Sequence, residues 1–411
     1  MSKSVFGAGA LALLLGSAAP AQTIDVRAGR LIDPASAKVL TDQRIRIIDG
    51  KIASVAPWRA GDGPAGLDWS GYTVLPGLID LHTHLADGYG ESSDPGEPLR
   101  HSEAATILKG AEAARTELRA GFTTVRDVGV YRGLTDVALR DAIAAGEVEG
   151  PRMFVAGGYI TTPGGGGEID ALAPDVPVPQ AFRLGEVHDA AEARDRARYF
   201  LDHGADFIKL IATGAVLAVG SEPGALELSP EEMKAACDEA KLRGSYCIAH
   251  AHGTEGIKAA IRAGARTIEH ASYLDAEGIA LAKARGVWLD MDIYNGDWIN
   301  EVGTKEGWPA EYLRKNIETT DVQPARVRRR RQSRCQTDFR HRRGGLSLRS
   351  RRAAIRLHGA LRNDPDAGDP VGHQRSRAGA RQARAGRERC ARRVRRPRRG
   401  QGRPAARRAR P

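Results

Sequence analysis

The 411-residue chain is poor in the residues that cross-link a protein or carry it through a membrane. It has four cysteines, and aromatic residues make up only 5% of it. Cys237, Cys247, Cys335 and Cys390 show neither metal-binding nor disulfide spacing, so the first two are expected to be buried thiols. Only one run is strongly apolar, Val5 to Leu15, and it is too short to span a bilayer. Lys3 precedes it and Ala19-Pro20-Ala21 follows, the order of a secretory signal peptide with cleavage before Gln22. The expectation is a periplasmic or secreted protein with no membrane anchor. Lysine is missing from residue 324 onward, where 30 arginines face 5 acidic residues. The rest of the chain carries 32 basic and 46 acidic residues, so the net charge of +11 belongs to the tail alone.

Residues 22–70 alternate short β-rich runs with turns such as Asp33-Pro34 and Asp49-Gly50, which predicts a small antiparallel β domain. From residue 71 to 323 the pattern becomes apolar runs of strand length followed by amphipathic stretches of helix length. The runs are Val74 to Leu81, Thr123 to Val128, Met153 to Ile160, Phe207 to Ala212, Tyr246 to Ala251, Thr267 to His270 and Val287 to Tyr294. Strands buried on both faces and alternating with helices make parallel βαβ units. Seven of them predict an α/β fold, an incomplete (β/α)₈ TIM barrel lacking its eighth unit.

The eighth strand should follow the helix around Ala310 to Thr320, but from Pro324 the period is lost and Phe339 is the last aromatic residue. Residues 324–411 therefore read as a disordered, Arg-rich tail. A nucleic-acid-binding arm is the functional alternative, yet the acidic body and the export signal oppose it. Selection for positive charge would use lysine as well as arginine, whereas a GC-rich gene read out of register yields mainly Arg, Ala, Gly and Pro. The tail is read as a frameshift from about residue 324.

The chemistry is carried by Leu75-Pro76-Gly77-Leu78-Ile79-Asp80-Leu81-His82-Thr83-His84. His82 and His84, two apart at the end of a strand, project to one side and can grip one cation. A barrel gathers its active site at the C-terminal ends of its strands, where Lys209, His250 and His270 also fall. A lysine inside an apolar strand is costly to bury as an ammonium. It makes sense as a carbamate, an anion able to bridge two metals.

These residues, with the blocks TVLPGLIDLHTHL, GFTTVRDVG, FIKLIATGAVLAVGSEPG, IAHAHGTEGIKAAIRAGARTIEHAS and DMDIYN, bring the chain to a family. From Thr23 to about Gln323 it resembles the amidohydrolase superfamily, in its imidazolonepropionase-like and Xaa-Pro dipeptidase-like branch. The resemblance implies a hydrolase of the amide bonds of dipeptides or N-acyl amino acids, with two divalent cations, zinc the expected one, activating a water. It assigns His82 and His84 to the first metal, carboxylated Lys209 to the bridge, and His250 and His270 to the second metal. His252 and Tyr294 are left to line the substrate pocket, and residues 22–70 become half of a composite β-sandwich. A cyclic-amide hydrolase of imidazolonepropionase type, with one metal, is the alternative. The expected partner is a small amide or dipeptide, with self-association left open.

Two departures stand out. Relatives carry a histidine in a G-G-H-G loop after the third strand, where this chain has Gly164-Gly165-Gly166-Gly167. The family's general-base aspartate, in a G-T-D-A-G block at the end of strand eight, is also missing, so no catalytic residue of that kind is retained. Back-translated with suitable codons and read one nucleotide later, Phe339 to Leu346 can give F-G-T-D-A-G-V-Y. The lost aspartate would then straddle Arg342 and Arg343.

Overall fold

A computed structural model describes residues 22–89, 94–292, 294–322 and 337–339. By its internal contacts the chain divides into two compact units, with the boundary between Gly77 and Leu78.

The first unit is a four-stranded sheet of β1 (Thr23–Asp33), β2 (Lys38–Ile48), β3 (Lys51–Pro57) and β4 (Leu67–Val74), in the order β3-β2-β1-β4. The three strands up to Pro57 are antiparallel, as the turn spacing predicts. The fourth is not: β4 lies parallel to β1. The short 3₁₀ turn Ala60–Asp62 lies in the connection that brings the chain back in the direction of β1. β4 also uses residues expected to open the barrel, because Pro76-Gly77 ends that run and a new strand starts at Leu78. Val26, Ala28 and Ile45 form this unit's buried core.

The second unit alternates strands and helices. In chain order these are β5 (Leu78–Thr83), α1 (Glu103–Arg119), β6 (Phe122–Asp127), α2 (Thr135–Ala144), β7 (Arg152–Val155), β8 (Tyr159–Ile160), α3 (Ala190–Asp202), β9 (Ile208–Ile211) and α4 (Pro230–Leu242). They continue with β10 (Cys247–Ala251), α5 (Thr254–Ala263), β11 (Thr267–His270), α6 (Ala276–Arg285), β12 (Trp288–Met291), α7 (Asn295–Glu306), α8 (Ala310–Thr320) and β13 (Thr337–Phe339). Every strand pair here is parallel, in a three-stranded sheet β5-β6-β7 and a six-stranded sheet β13-β12-β11-β10-β9-β8.

The run Met153 to Ile160, expected as one strand, is split at Gly157-Gly158. Its first half pairs with β6 and its second with β9, so one run of sequence serves both sheets. Gly157 is needed there because its φ is +76°, and a Cβ on Gly158 would lie 2.8 Å from the Phe200 ring. Helix ends follow their sequence signals. Ser229 caps α4 by accepting from Glu232 N (3.2 Å), and the Glu232 carboxylate accepts from Ser229 N (2.7 Å), while Gly264 at φ +108° ends α5. The main core is apolar and includes Phe200, Ile208, Leu210, Ile257 and Ile268, all 0 or 1% exposed.

Two expectations are corrected. Cys237 and Cys247 are buried but form a disulfide, with Cα atoms 5.2 Å apart. After α4 the chain turns back at Gly244, setting the first residue of β10 beside the middle of the helix, a proximity that spacing along the chain does not reveal. The second concerns the tail, where no strand was expected after Pro324. Thr337–Phe339 pairs parallel with β12, Asp338 opposite Asp290, although the segment lacks an apolar period. β12 otherwise ends in an open row of backbone donors and acceptors, which three residues can satisfy. The remaining expectations for residues 1–21, 323–336 and 340–411 lie outside the described residues.

Candidate metal centre

Five histidines meet where β5, β10 and β11 end. Each strand brings its histidines by alternation, with residues i and i+2 on one face. On β5 that places His82, with His84 just beyond the strand, on one side. On β10 it does the same for His250 and His252. The ring centroids of His82 and His84 are 5.2 Å apart, those of His82 and His270 are 5.0 Å, and those of His250 and His270 are 4.6 Å. All five rings are buried, between 1% and 7% exposed. His270 and Ala271 have φ of +65° and +50°, a left-handed turn that non-glycine residues rarely adopt.

His252 is the main surprise. The sequence sets it apart from the ligands as a pocket residue, yet candidate ligand atoms of His250, His252 and His270 lie within 4.8 Å of one another. Its ring stacks on His270 at 4.7 Å and 13°, and its Nδ1 lies 2.9 Å from Ser272 Oγ. Lys209, 2% exposed, is less advanced than expected. It sits inside β9 opposite Ile248, two residues below His250 and on the same face of the sheet. Tyr294 stands half-buried at the start of α7, two residues after Asp292.

The rings are oriented by groups behind them. His82 Nδ1 lies 3.0 Å from Glu269 Oε2, and His270 Nδ1 lies 3.0 Å from Asp292 Oδ2. His84 Nδ1 donates to Gly129 O at 2.8 Å, and the Tyr159 hydroxyl donates to the same carbonyl at 3.1 Å. A ring held through Nδ1 offers Nε2 to an ion, and a carboxylate behind it raises the basicity of that nitrogen. His250 is reversed: its Nε2 faces Gly214 O at 3.2 Å, so it offers Nδ1. The donor set therefore fits a metal ion, since several buried imidazoles backed by carboxylates suit a divalent cation such as zinc.

Beneath the rings lies a charge network that the sequence does not announce. Arg126 Nη2 donates to Glu269 Oε1 and Asp290 Oδ2, each at 3.2 Å, and Arg126 Nε donates to Leu81 O at 2.8 Å. Glu269 thus serves His82 and Arg126 together, and these two residues are at most 5% exposed. Asp127 braces the turn after His84 by accepting from Leu85 N. Burial and the nearby Asp136 push the Asp127 carboxyl well above the usual range. Asp136, which accepts from Ala156 N (3.1 Å) and Gly157 N (2.9 Å), is raised by burial to about 6. For the groups on or beside strands the one signal in the sequence is a charged residue inside an apolar strand run, present in TVRD, IEH and DMD; Asp136, on α2, has none.

The glycine loop has closed onto its neighbour. A Cβ on Gly166 would lie 2.7 Å from Ala215 Cβ, and Gly166 N donates to Glu227 Oε2 at 2.9 Å. The space a side chain at that position would need is taken by the loop after β9.

Known proteins resemble this chain in sequence and fold. The amidohydrolase family matches residues 73–329. Ochratoxinase of Aspergillus niger is 31% identical over 226 residues, 52% of this chain and 46% of that protein, so the match spans about half the relative's length. A solved Xaa-Pro dipeptidase with methionine bound in its active site superposes with a TM-score of 0.72 at 29% identity, over 82% of this chain and 84% of the other. A prolidase complexed with N-methylphosphonate-L-proline gives 0.72 at 25% identity, over 81% and 83%. With its histidines at parallel-strand ends and a family match covering more than half its length, the chain belongs to the amidohydrolase family.

Proposed function

We propose that the chain is the metal-binding core of a hydrolase of C–N bonds in dipeptides or N-acyl amino acids, built on a (β/α)₈ barrel whose halves are the two parallel sheets. The observation that carries this reading is the buried His250–His252–His270 group with His82 and His84 beside it. The named activities of the Xaa-Pro dipeptidase and prolidase neighbours support a dipeptide substrate. In this reading His82 and His84 hold one divalent ion and His250 and His270 a second, with His252 able to join them. Carboxylated Lys209 would be the anionic ligand they share. Bound there, zinc would supply the Lewis acidity that activates water near neutral pH and polarises an amide carbonyl.

The chain's own residues have defined parts. Glu269 and Asp292 set the His82 and His270 rings, and Arg126 compensates the charge of Glu269 and Asp290 so that the carboxylates can stay buried. What is missing among the described residues is a general base for the attacking water's proton at the end of an eighth strand. Asp338 is aligned with Asp290, below the level of Asp292, and does not take that part. Loss of a general base lowers a rate by about 10² to 10⁴. Export is part of the same reading, and the Cys237–Cys247 disulfide supports it, because such bonds persist in oxidising compartments.

The test compares the chain as it stands with a version corrected by one nucleotide after residue 323, on dipeptides and N-acyl amino acids with zinc present. Hydrolysis is expected from the corrected chain only. Equal rates would show the tail to be a working part and refute the frameshift. Metal analysis of the corrected chain should find about two ions, with one or both lost in Lys209→Ala. A single ion indifferent to that change would favour the cyclic-amide hydrolase.

A further inference from the structure

A second buried charge system lies outside the centre just described. Lys315, on α8, is 0% exposed. Its Nζ donates to Ala218 O, to Ser221 O at 2.7 Å and to Glu311 Oε1 at 2.9 Å. A buried ammonium is costly unless its protons are accepted and its charge is matched, and here three acceptors, one a carboxylate, meet three protons. What it grips is the loop between β9 and α4. The same loop is tied by Val219 N to Asp170 Oδ2 (2.7 Å) and by Gly220 N to Glu311 Oε1 (2.9 Å). Its Val216 and Leu217 share a buried cluster with Ile299, Trp308 and Tyr312 of α7 and α8 and the turn between them.

The two ends of this loop reach the histidines. Gly214 O faces His250 Nε2, and Gly214 N donates to Ala225 O at 3.1 Å, closing the loop at its base. A Cβ on Gly214 would lie 2.2 Å from Glu222 O, and one on Gly253, next to His252, would lie 2.4 Å from Gly224 O. The loop backbone is therefore packed against the strand ends without room for a side chain. Ser221 completes the link, its Oγ accepting from Ala215 N at 3.0 Å while its carbonyl is held by Lys315.

We propose that Lys315 is a positioning residue for the metal centre: by fastening the loop at Ala218 and Ser221, it holds the Gly214 carbonyl where that oxygen sets the ring of His250. This rests on the metal-binding reading above. A ligand ring must be held within about 0.5 Å of its working geometry, so slack in the loop would be felt as weaker metal binding.

The experiment titrates the full chain with Zn²⁺ against a chromophoric chelator and records the visible spectrum of the Co²⁺-loaded protein. It compares Lys315→Met, Glu311→Gln and Arg314→Ala, with melting temperatures measured alongside. Arg314 is the control for buried against exposed fastening: a neighbour on the same helix, it reaches the same loop only through an exposed ion pair with Glu222, and its pair with Glu318 is exposed too. Lys315→Met is expected to weaken Zn²⁺ binding at least tenfold and to shift the Co²⁺ bands. Glu311→Gln, which keeps the lysine but removes its carboxylate, should fall between, and Arg314→Ala should do neither. Unchanged affinity and spectrum in both Lys315→Met and Glu311→Gln, whatever their melting points, would overturn the proposal. If Lys315→Met does not fold, Glu311→Gln decides on the same readouts. A parent chain that takes up no metal refutes the metal reading and this proposal together, whereas a parent and variants that bind alike refute only the latter.

Discussion

His82 and His84 come from one strand and the turn after it, whereas His250, His252 and His270 come from two strands, and the two groups differ in what holds them. The first pair is set from beneath by Glu269, Arg126 and Gly129, groups that belong to other strands or to the turns that end them. Of the second group, His250 is set by Gly214, at the foot of a loop clamped from α8, and His252 and His270 by Ser272 and Asp292, just beyond β11 and β12. Behind the first group lies a cation shared by two buried carboxylates of separate strands, whereas the second is held largely through loops, with Asp292 and Lys315 as its buried charges. Damage to the first should therefore appear as lost stability together with lost metal. Damage to the second should appear mainly as lost metal.

The strongest way to break this contrast is Arg126→Met, which leaves Glu269 and Asp290 buried without their cation. Removing one partner of a buried ionic group costs about 3–5 kcal/mol, and denaturant unfolding should show a loss of that order. A loss below about 1 kcal/mol would mean that the network is solvated rather than buried. The contrast is sharpened by Glu269→Gln beside Asp292→Asn. Removal of a carboxylate behind a metal-binding histidine lowers affinity by about 10- to 100-fold, and both variants should show it in a zinc titration. Only Glu269→Gln should also lower the melting temperature by several degrees, because only Glu269 is shared with Arg126.

The smallest effect is pH dependence in the support of the first pair. Asp136 is raised by burial to about 6, so the fold favours its protonated form. The stability this contributes is complete below the unfolded value, about 4, and is lost as pH rises through about 6. Stability should therefore fall over that interval with a slope of up to about 1.4 kcal/mol per pH unit from this group, and Asp136→Asn should flatten it. An identical slope in the variant would assign the titration elsewhere.

Part of the centre is legible in the sequence alone. His82 and His84 stand in a motif, and His250 and His270 end apolar runs, so strand period by itself puts four histidines at one end of the sheets. The part of His252 is not legible, because it depends on a ring stacked against His270 across a strand boundary. Glu269, Arg126 and Asp290 escape notice for a similar reason. Each is a charge inside an apolar run, and only the pairing of separate strands makes them partners. The Cys237–Cys247 bond and the pairing of Thr337–Phe339 with β12 also depend on what lies beside a segment in space.

Local rules suffice for whatever is periodic along the chain. Alternating apolar runs settle the α/β class, the parallel strands and the end at which the histidines gather, because side-chain direction in a strand follows from position alone. Tertiary structure decides which nitrogen of each ring is engaged and which carboxylate stands behind it. It also decides that Lys315, on the last described helix, grips the loop that reaches His250. Those are contacts between residues 20 to 187 positions apart, and most of their energy comes from desolvated charges whose partners no local pattern specifies.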